Sequence, residues 1–347
     1  MATVKRLNYI GSKFKLLDWL TESIQAKTGW TSFEGKRVAD LFGGTGIVSH
    51  HFRTKNATVL SNDAELYSSI ITRAFTTSVY TEKVNQLIAQ LNQDIQTNSR
   101  VGYITKHYSP YEGNERMFFT TANAQKIDYL RARVEELKTS VSEDEYIFLL
   151  ASLIVSADAV GNVPSVYGAY LKKFKDRASR ALEFVPIHTL TTLPAVQSKA
   201  YNKDVLSDEL LQQIEADVVY LDPPYNERQY SKNYFPLNMI AKTPAQLASE
   251  PALKGKTGIP TDCFISPFCK KQGVEGAFET LFQTLKTKWI FVSYNSESLL
   301  SKEKMLELMG KYGKATVIER DQKRFKNYEY NEDKAIQEYL FCLEKSS

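Results

Sequence analysis

An apolar run that ends in two consecutive prolines constrains this sequence more than anything else in it. Val218-Val219-Tyr220-Leu221 has the look of a β-strand, and it passes directly into Asp222-Pro223-Pro224-Tyr225. Proline carries no backbone N–H and fixes its own φ, so the turn is stiff and carbonyls are left free to accept. An acceptor carboxylate, a free carbonyl and an aromatic ring on a rigid turn suit one task well. They can hold a planar amino group by two hydrogen bonds while the ring stacks on its heterocycle. Two such acceptors rotate the nitrogen lone pair out of conjugation and aim it at an electrophile. Most isolated Pro-Pro pairs are only a turn with a capping Asp; the strand before this one and the tyrosine after it favour the functional interpretation.

The rest of the chain supplies a frame for that turn. Arg37–Phe42 is a short apolar run ended by Gly43-Gly44-Thr45-Gly46, and helical pattern resumes at Ile47. Thr58–Ser61 reads as the next strand, with Asn62-Asp63 at its end and a helix behind it. This β-α-β succession predicts an α/β fold with a parallel, doubly wound sheet. Further strands are expected at Asp217–Leu221, Trp289–Tyr294, Ala315–Arg320 and Glu338–Leu343. Near the N-terminus, Asn8-Tyr9-Ile10-Gly11-Ser12-Lys13 opens a helix with Leu16, Leu17, Leu20 and Ile24 on one face.

Between about residues 80 and 195 the pattern turns helical, with stretches at Glu82–Gln96, Ala122–Lys138 and Ser142–Ala159 and a loop at Tyr103–Glu115. Residues 242–276 read as a second long loop. The expected division is a sheet domain of residues 1–80 and 196–347 interrupted by a helical insertion of residues 81–195.

Glycines after a first strand let the backbone approach a ligand closely. A phosphate-binding loop would need Gly-Lys-Ser/Thr, and the dinucleotide G-x-G-x-x-G is not matched either. Asp63 strengthens the loop's case, because a carboxylate at the end of a second strand is placed to bind a ribose diol. An N-cap on the helix starting near Ala64 accounts for Asp63 equally well.

Composition closes off other classes. The 347 residues are 43% hydrophobic with 44 Lys+Arg against 40 Asp+Glu, so wholesale disorder is not expected. Apolar runs such as Tyr146–Val155 fall short of the roughly 20 residues a bilayer crossing needs. The opening MATVKRLNYIGSK has no signal-peptide apolar stretch. Three cysteines, Cys263, Cys269 and Cys342, make no disulfide framework and fit a reducing cytoplasm. With 4 His and 3 Cys there is no ligand spacing for zinc, and no metal is expected.

The pairing of Phe-x-Gly-x-Gly with a downstream Asp-Pro-Pro-Tyr resembles S-adenosylmethionine-dependent amino-methyltransferases. More narrowly, the whole chain resembles the Dam-like, alpha-group adenine-specific DNA methyltransferases. Tyr9-Ile10-Gly11-Ser12-Lys13 matches that group's N-terminal Tyr-x-Gly-x-Lys element, and the glycine loop, a helical insertion and Asp-Pro-Pro-Tyr follow in the group's order. The resemblance implies a Rossmann-like S-adenosylmethionine-binding sheet carrying a helical target-recognition insertion. It implies that Tyr9, Gly11 and Lys13 flank the methionine moiety of the cofactor. Asp40 with Phe42, Gly43, Gly44, Thr45 and Gly46 would hold its backbone, and Asp63 the ribose hydroxyls. Asp204 and Val205, in a segment that matches only loosely, would meet the cofactor's adenine; taken alone, Asp204 is an ordinary surface carboxylate. Ser293-Tyr294-Asn295 resembles the element behind the target-base pocket.

The activity implied is methyl transfer to the 6-amino group of adenine in a specific duplex DNA sequence. Asp222, Pro223, Pro224 and Tyr225 would be catalytic, and Asp222 would also border the cofactor. The base must be flipped out of the helix. Candidate DNA contacts are Lys106, Tyr108 and Arg116; the basic cluster Lys172, Lys173, Lys175, Arg177 and Arg180; Tyr230; and Lys323, Arg324 and Lys326 around Phe325. A solvated surface is the commoner fate of such charge runs, but the interleaved aromatics favour phosphate binding. Expected partners are double-stranded DNA and, within a restriction–modification system, a cognate endonuclease, with no membrane. The alternatives are amino-methylation of cytosine or of RNA adenine, and a non-catalytic nucleic-acid-binding relative.

Overall fold

In the computed structural model, residues 3–192, 197–322 and 336–346 are described. They fall into two compact units. The sheet unit comprises Ser12–Ala64, Pro194–Gln229 and Ile265–Ser347, and the helical unit Met1–Gly11, Glu65–Leu193 and Tyr230–Phe264. Strands and helices are numbered in chain order.

The sheet unit contains β1 (Arg37–Asp40), β2 (Thr58–Asn62), β3 (Lys199–Tyr201), β4 (Val218–Leu221), β5 (Trp289–Asn295), β6 (Gly313–Gln322) and β7 (Ile336–Lys345). They form one sheet in the order β3-β2-β1-β4-β5-β7-β6. Its helices are α1 (Leu17–Thr28), α2 (Ile47–Thr54), α9 (Asp208–Leu211), α13 (Val274–Thr284) and α14 (Lys302–Gly310). β1 pairs in parallel with β2 on one side and β4 on the other, so the winding reverses between β1 and β4. Crevices at such reversals are where open α/β sheets bind ligands.

The α/β fold expected from the sequence is the one found, with one correction. The sheet is mixed, because β7 runs antiparallel to both β5 and β6. Period and apolar content mark a strand but carry no information on its direction. β3 went unread, since Lys-Ala-Tyr offers no apolar run.

Burial holds the sheet unit together. Phe278, Leu281 and Phe282 of α13 and Met305 and Leu308 of α14 pack against Val219, Leu221, Ile290, Val292 and Phe341 on one sheet face. Each such side chain contributes about 1.5–3 kcal/mol of transfer free energy. The opposite side chains of the central strands include Asp40, Tyr220 and Ser293, so one face is apolar while the other carries polar groups near the strand ends.

The helical unit contains α3 (Leu66–Thr77), α4 (Glu82–Thr97), α5 (Tyr103–Tyr108), α6 (Thr121–Leu137), α7 (Glu143–Ala159), α8 (Asp176–Ser179), α10 (Tyr230–Asn233), α11 (Phe235–Ala241) and α12 (Pro244–Ala248). α7 is its axis. Ser142 and Glu145 close a capping box at its start, and every residue from Tyr146 to Asp158 is buried. A helix apolar all round belongs in a core, not at a surface.

Two stretches expected as loops contain helix. α5 forms within Tyr103–Glu115 because Asp128 of α6 accepts from the N–H groups of Gly102, Ile104 and Thr105, satisfying the donors of its first turn. α12 forms within 242–276, where Thr243 and Gln246 make a capping box and Pro244 starts the helix. Among the described residues, no helix is long and apolar enough to cross a membrane.

Candidate active site

Three strand ends in the sheet unit gather the residues singled out from sequence. β1 ends at Asp40, whose carboxyl is 1% exposed. Its Oδ2 accepts from the Ser49 hydroxyl at 2.7 Å, while Oδ1 is buried with no hydrogen-bond partner among the described residues. Burial, with the charges of Asp222 and Asp63 acting in the same direction, pushes this carboxyl up to about 7.

The loop after β1 doubles back on glycine. Gly44 and Gly46 sit at φ +55 and +70, in the left-handed region. Gly43 donates to the Asn62 carbonyl at 2.9 Å, Gly46 donates to the Gly43 carbonyl, and Gly44 donates to Asp63 Oδ2 at 2.8 Å. Phe42 is half-buried against Phe268, and Thr45 is buried. Asp63 does not cap a helix: the residue at the start of α3 is Glu65, which makes no side-chain cap.

The end of β2 is strapped to the segment after β3. Asn62 Nδ2 donates to the Leu41 and Lys203 carbonyls and its Oδ1 accepts the Lys203 N–H. Asn202 donates to the Asp63 and Ala64 carbonyls. Asp204 is exposed and accepts the Leu206 N–H at 3.0 Å, while Val205 is in the core.

β4 delivers the two-proline turn. Asp222, its side chain 18% exposed, is 2.9 Å from the ammonium of Lys13, which is only 4% exposed. The Tyr225 hydroxyl is 2.9 Å from Asp222 Oδ1 and 3.1 Å from Glu338 Oε1. Glu338, 5% exposed on β7, is also 3.5 Å from Lys13. The Tyr225 ring meets Tyr294 edge-on at 5.1 Å, and the Lys13 ammonium stands 4.9 Å from its centroid. Pro223 is buried and Pro224 half-buried. Burial pushes the Asp222 carboxyl above its ordinary range against the pull of Lys13. Burial also works against the Lys13 charge, but Asp222 and Glu338 outweigh it and hold the amine above its ordinary value.

The N-terminal Tyr9 and Gly11 belong to the helical unit. Tyr9 stacks on Tyr234 at 4.7 Å and tilts against Tyr230 at 5.3 Å. Ile10 donates its N–H to the Tyr234 hydroxyl, and Gly11 turns at φ +81. Asn8 donates its N–H to the buried carboxylate of Asp158 at 2.7 Å, so this segment is anchored on the end of α7.

Residues 9–308 match the family described as D12 class N6 adenine-specific DNA methyltransferase. The chain belongs to that family. It is 42% identical over 342 residues to the Type II methyltransferase M.CviAII of Paramecium bursaria Chlorella virus 1, covering 98% of this chain and 99% of that one. It is 38% identical to the Type II methyltransferase M.NlaIII of Neisseria lactamica, covering 98% and 100%. With the Type II methyltransferase M.FokI of Planomicrobium okeanokoites it shares 33% identity over 98% of this chain but 53% of that one. The protein is an adenine-specific DNA methyltransferase, acting on the 6-amino group with a methyl donor of the S-adenosylmethionine type.

The methyltransferase's expected DNA contacts fare unevenly. Lys106, Lys172, Lys173, Lys175 and Arg180 are exposed on the helical unit. The loop carrying the last four is pinned: buried Asn162 bonds the Met117 and Leu171 carbonyls through Nδ2 and the Lys175 N–H through Oδ1. Arg177 is tied to the Gly161 carbonyl by Nε and Nη2. Arg116 is likewise spread over the carbonyls of His107, Lys256 and Gly255.

Tyr108 corrects an expectation. It is 0% exposed in the helical core and donates to the Gly258 carbonyl, so it has no edge to offer a base. Tyr230 is half-buried against Tyr9 and its hydroxyl donates to the Ile10 carbonyl. Lys323, Arg324 and Lys326 lie outside the described residues.

Glu338 and Ser49 escaped the sequence. Glu338 begins a predicted strand, where an acid ahead of Tyr-Leu-Phe-Cys-Leu looks like a solvated end; the clue was an acidic residue on an otherwise apolar strand.

Proposed function

We propose that the donor is S-adenosylmethionine, and that Asp222 on the two-proline turn is the acceptor that positions the target adenine's 6-amino group. The observation that carries this is a carboxylate held at the end of β4 by Lys13 and by Tyr225, on a turn that cannot relax. When bound, the donor supplies a methyl already activated by its sulfonium, so transfer depends on alignment more than on acid–base help.

The residues fit such a donor. The unpartnered Asp40 Oδ1 suits an ammonium group, and the left-handed glycine turn follows it directly in the chain. Asp63 suits a vicinal diol, and Asp204 with Val205 is the candidate for the donor's adenine. Lys13 completes the proposed donor-binding set of the sheet unit, and Tyr9 and Gly11 stay candidates on the strength of the sequence motif alone.

Asp222 and the Pro223 carbonyl would then accept the two amino hydrogens, and both would stabilise positive charge growing on nitrogen. Tyr225 steadies Asp222 through its hydroxyl and offers ring surface to the base. Because a base inside a duplex cannot reach a shielded carboxylate, the adenine is flipped out, at a cost of about a few kcal/mol.

The helical insertion at 81–195 is the proposed reader of DNA. Its exposed Lys106, Lys172, Lys173, Lys175 and Arg180 suit phosphates, with Lys323, Arg324 and Lys326 as a second basic set from sequence. A cognate restriction endonuclease is the proposed partner in the cell. The test is tritiated-methyl transfer to unmethylated bacterial DNA with Asp222→Ala as control. Label in N6-methyladenine, absent from the variant, is the expected result; equal incorporation in both proteins removes Asp222 from catalysis.

A further inference from the structure

One lysine here has two carboxylates. Lys13 Nζ is 2.9 Å from Asp222 and 3.5 Å from Glu338, and all three side chains are largely shielded, at 4%, 18% and 5% exposure. The Tyr225 hydroxyl spans the same two acids at 2.9 and 3.1 Å. It has one proton, so it donates to one of them at a time. With both acids ionised, the cluster holds two anions against one cation.

That arithmetic matters for a nitrogen that becomes positive during transfer. Were Asp222 alone, Lys13 would neutralise it, and the site would have no net charge to offer. An amino group taking Asp222 Oδ1 would also compete for that oxygen with the buried Lys13 ammonium, and weakening a buried ion pair is unfavourable. A second acid removes both objections: it leaves one net negative charge, and it gives Lys13 and the Tyr225 hydroxyl another acceptor.

We propose that Glu338 is a positioning residue for methyl transfer, which holds Lys13 and the Tyr225 hydroxyl and so frees Asp222 for the adenine amino group. The proposal rests on the role of Asp222 given above. Glu338 itself exchanges no bond with the substrate. Besides Lys13, Asp222 and Tyr225, Tyr220 of β4 feels the charge of this acid, and the exposed Arg320 is its register partner on β6.

Glu338→Gln tests it, because glutamine keeps the size and an acceptor for Lys13 and Tyr225 but loses the charge. Expected are a fall in kcat of about tenfold to a hundredfold with KM for DNA and the melting temperature held, and partial recovery in Glu338→Asp. The acid limb of the kcat profile moves to lower pH, since Asp222 ionises more readily without a neighbouring anion. Independently of activity, NMR titration of 15N-labelled lysines finds Lys13 deprotonating at lower pH in Glu338→Gln.

Undiminished kcat in Glu338→Gln with an inactive Asp222→Asn overturns this proposal and leaves the role of Asp222 standing. An active Asp222→Asn overturns the reading beneath it. A loss that Glu338→Asp shares in full, and that tracks a drop in melting temperature, also overturns it, because a purely structural role would then suffice.

Discussion

Asp63 Oδ2 accepts the Gly44 N–H at 2.8 Å, tying the end of β2 to the glycine loop that follows β1. The acid proposed to bind a ribose is therefore also a clasp on the loop beside it. The two roles separate by substitution. Asp63→Asn keeps an acceptor for Gly44 and loses the charge, whereas Asp63→Ala loses both. Affinity for S-adenosylmethionine should fall about tenfold in the first and about a hundredfold in the second, as expected for hydrogen bonds to a charged group. Titration calorimetry decides; an Asp63→Ala protein that binds like wild type takes Asp63 out of the donor site.

Asp40 makes donor binding sensitive to pH. Its carboxyl titrates at about 7, and only the ionised form attracts an ammonium. Affinity should therefore rise from about pH 6 to about pH 8 in wild type and stay flat, and weak, in Asp40→Asn. Stability runs the other way. The folded value lies above the unfolded one, so the benefit of burying a neutral acid is present at low pH and is lost as pH rises through about 7. Asp40→Asn should thus gain more in melting temperature at about pH 8 than at about pH 5.

Removing the Asp222 side chain should spare the donor and stop the transfer. Loss of one preorganised acceptor at a reacting centre lowers kcat by about 10²–10³. S-adenosylmethionine affinity in Asp222→Ala should stay within a few-fold of wild type by calorimetry. A collapse of both together would point to a misfolded site.

The exposed lysines of the helical unit predict a salt signature. Every phosphate left unneutralised lowers the slope of log K against log salt by about 0.9. Changing Lys172, Lys173 and Lys175 to Ala should flatten that slope by about two to three units and weaken all sequences alike. An unchanged slope in a filter-binding or anisotropy titration would rule these residues out as phosphate ligands. Arg177, already tied to the Gly161 carbonyl, should affect folding of its loop before it affects DNA.

What the sequence revealed was what local chemistry dictates. Two prolines end β4 wherever it lies, and the glycines after Asp40 announce their turn, because both residue types act on φ within a few positions. The helical stretch expected at Ser142–Ala159 is α7 to within a residue at its start, where Ser142 and Glu145 close the capping box. What it concealed was long-range. Nothing near Glu338 says that it will face Lys13, at the other end of the chain, and nothing near Tyr108 says that α11 and Gly258 will enclose it. Direction escaped as well, since the alternation in β7 is the same whichever way the strand runs.

The reversed β7 ties this enzyme's competence to the order of its own synthesis. Lys13 leaves the ribosome first, Asp222 follows at mid-length, and Glu338 comes last, on a strand that must slot between β5 and β6. Until it arrives, β5 presents a bare row of backbone donors and acceptors, the kind of edge that recruits stray chains. A polypeptide lacking β7 would carry the two-proline turn without the second carboxylate beside it.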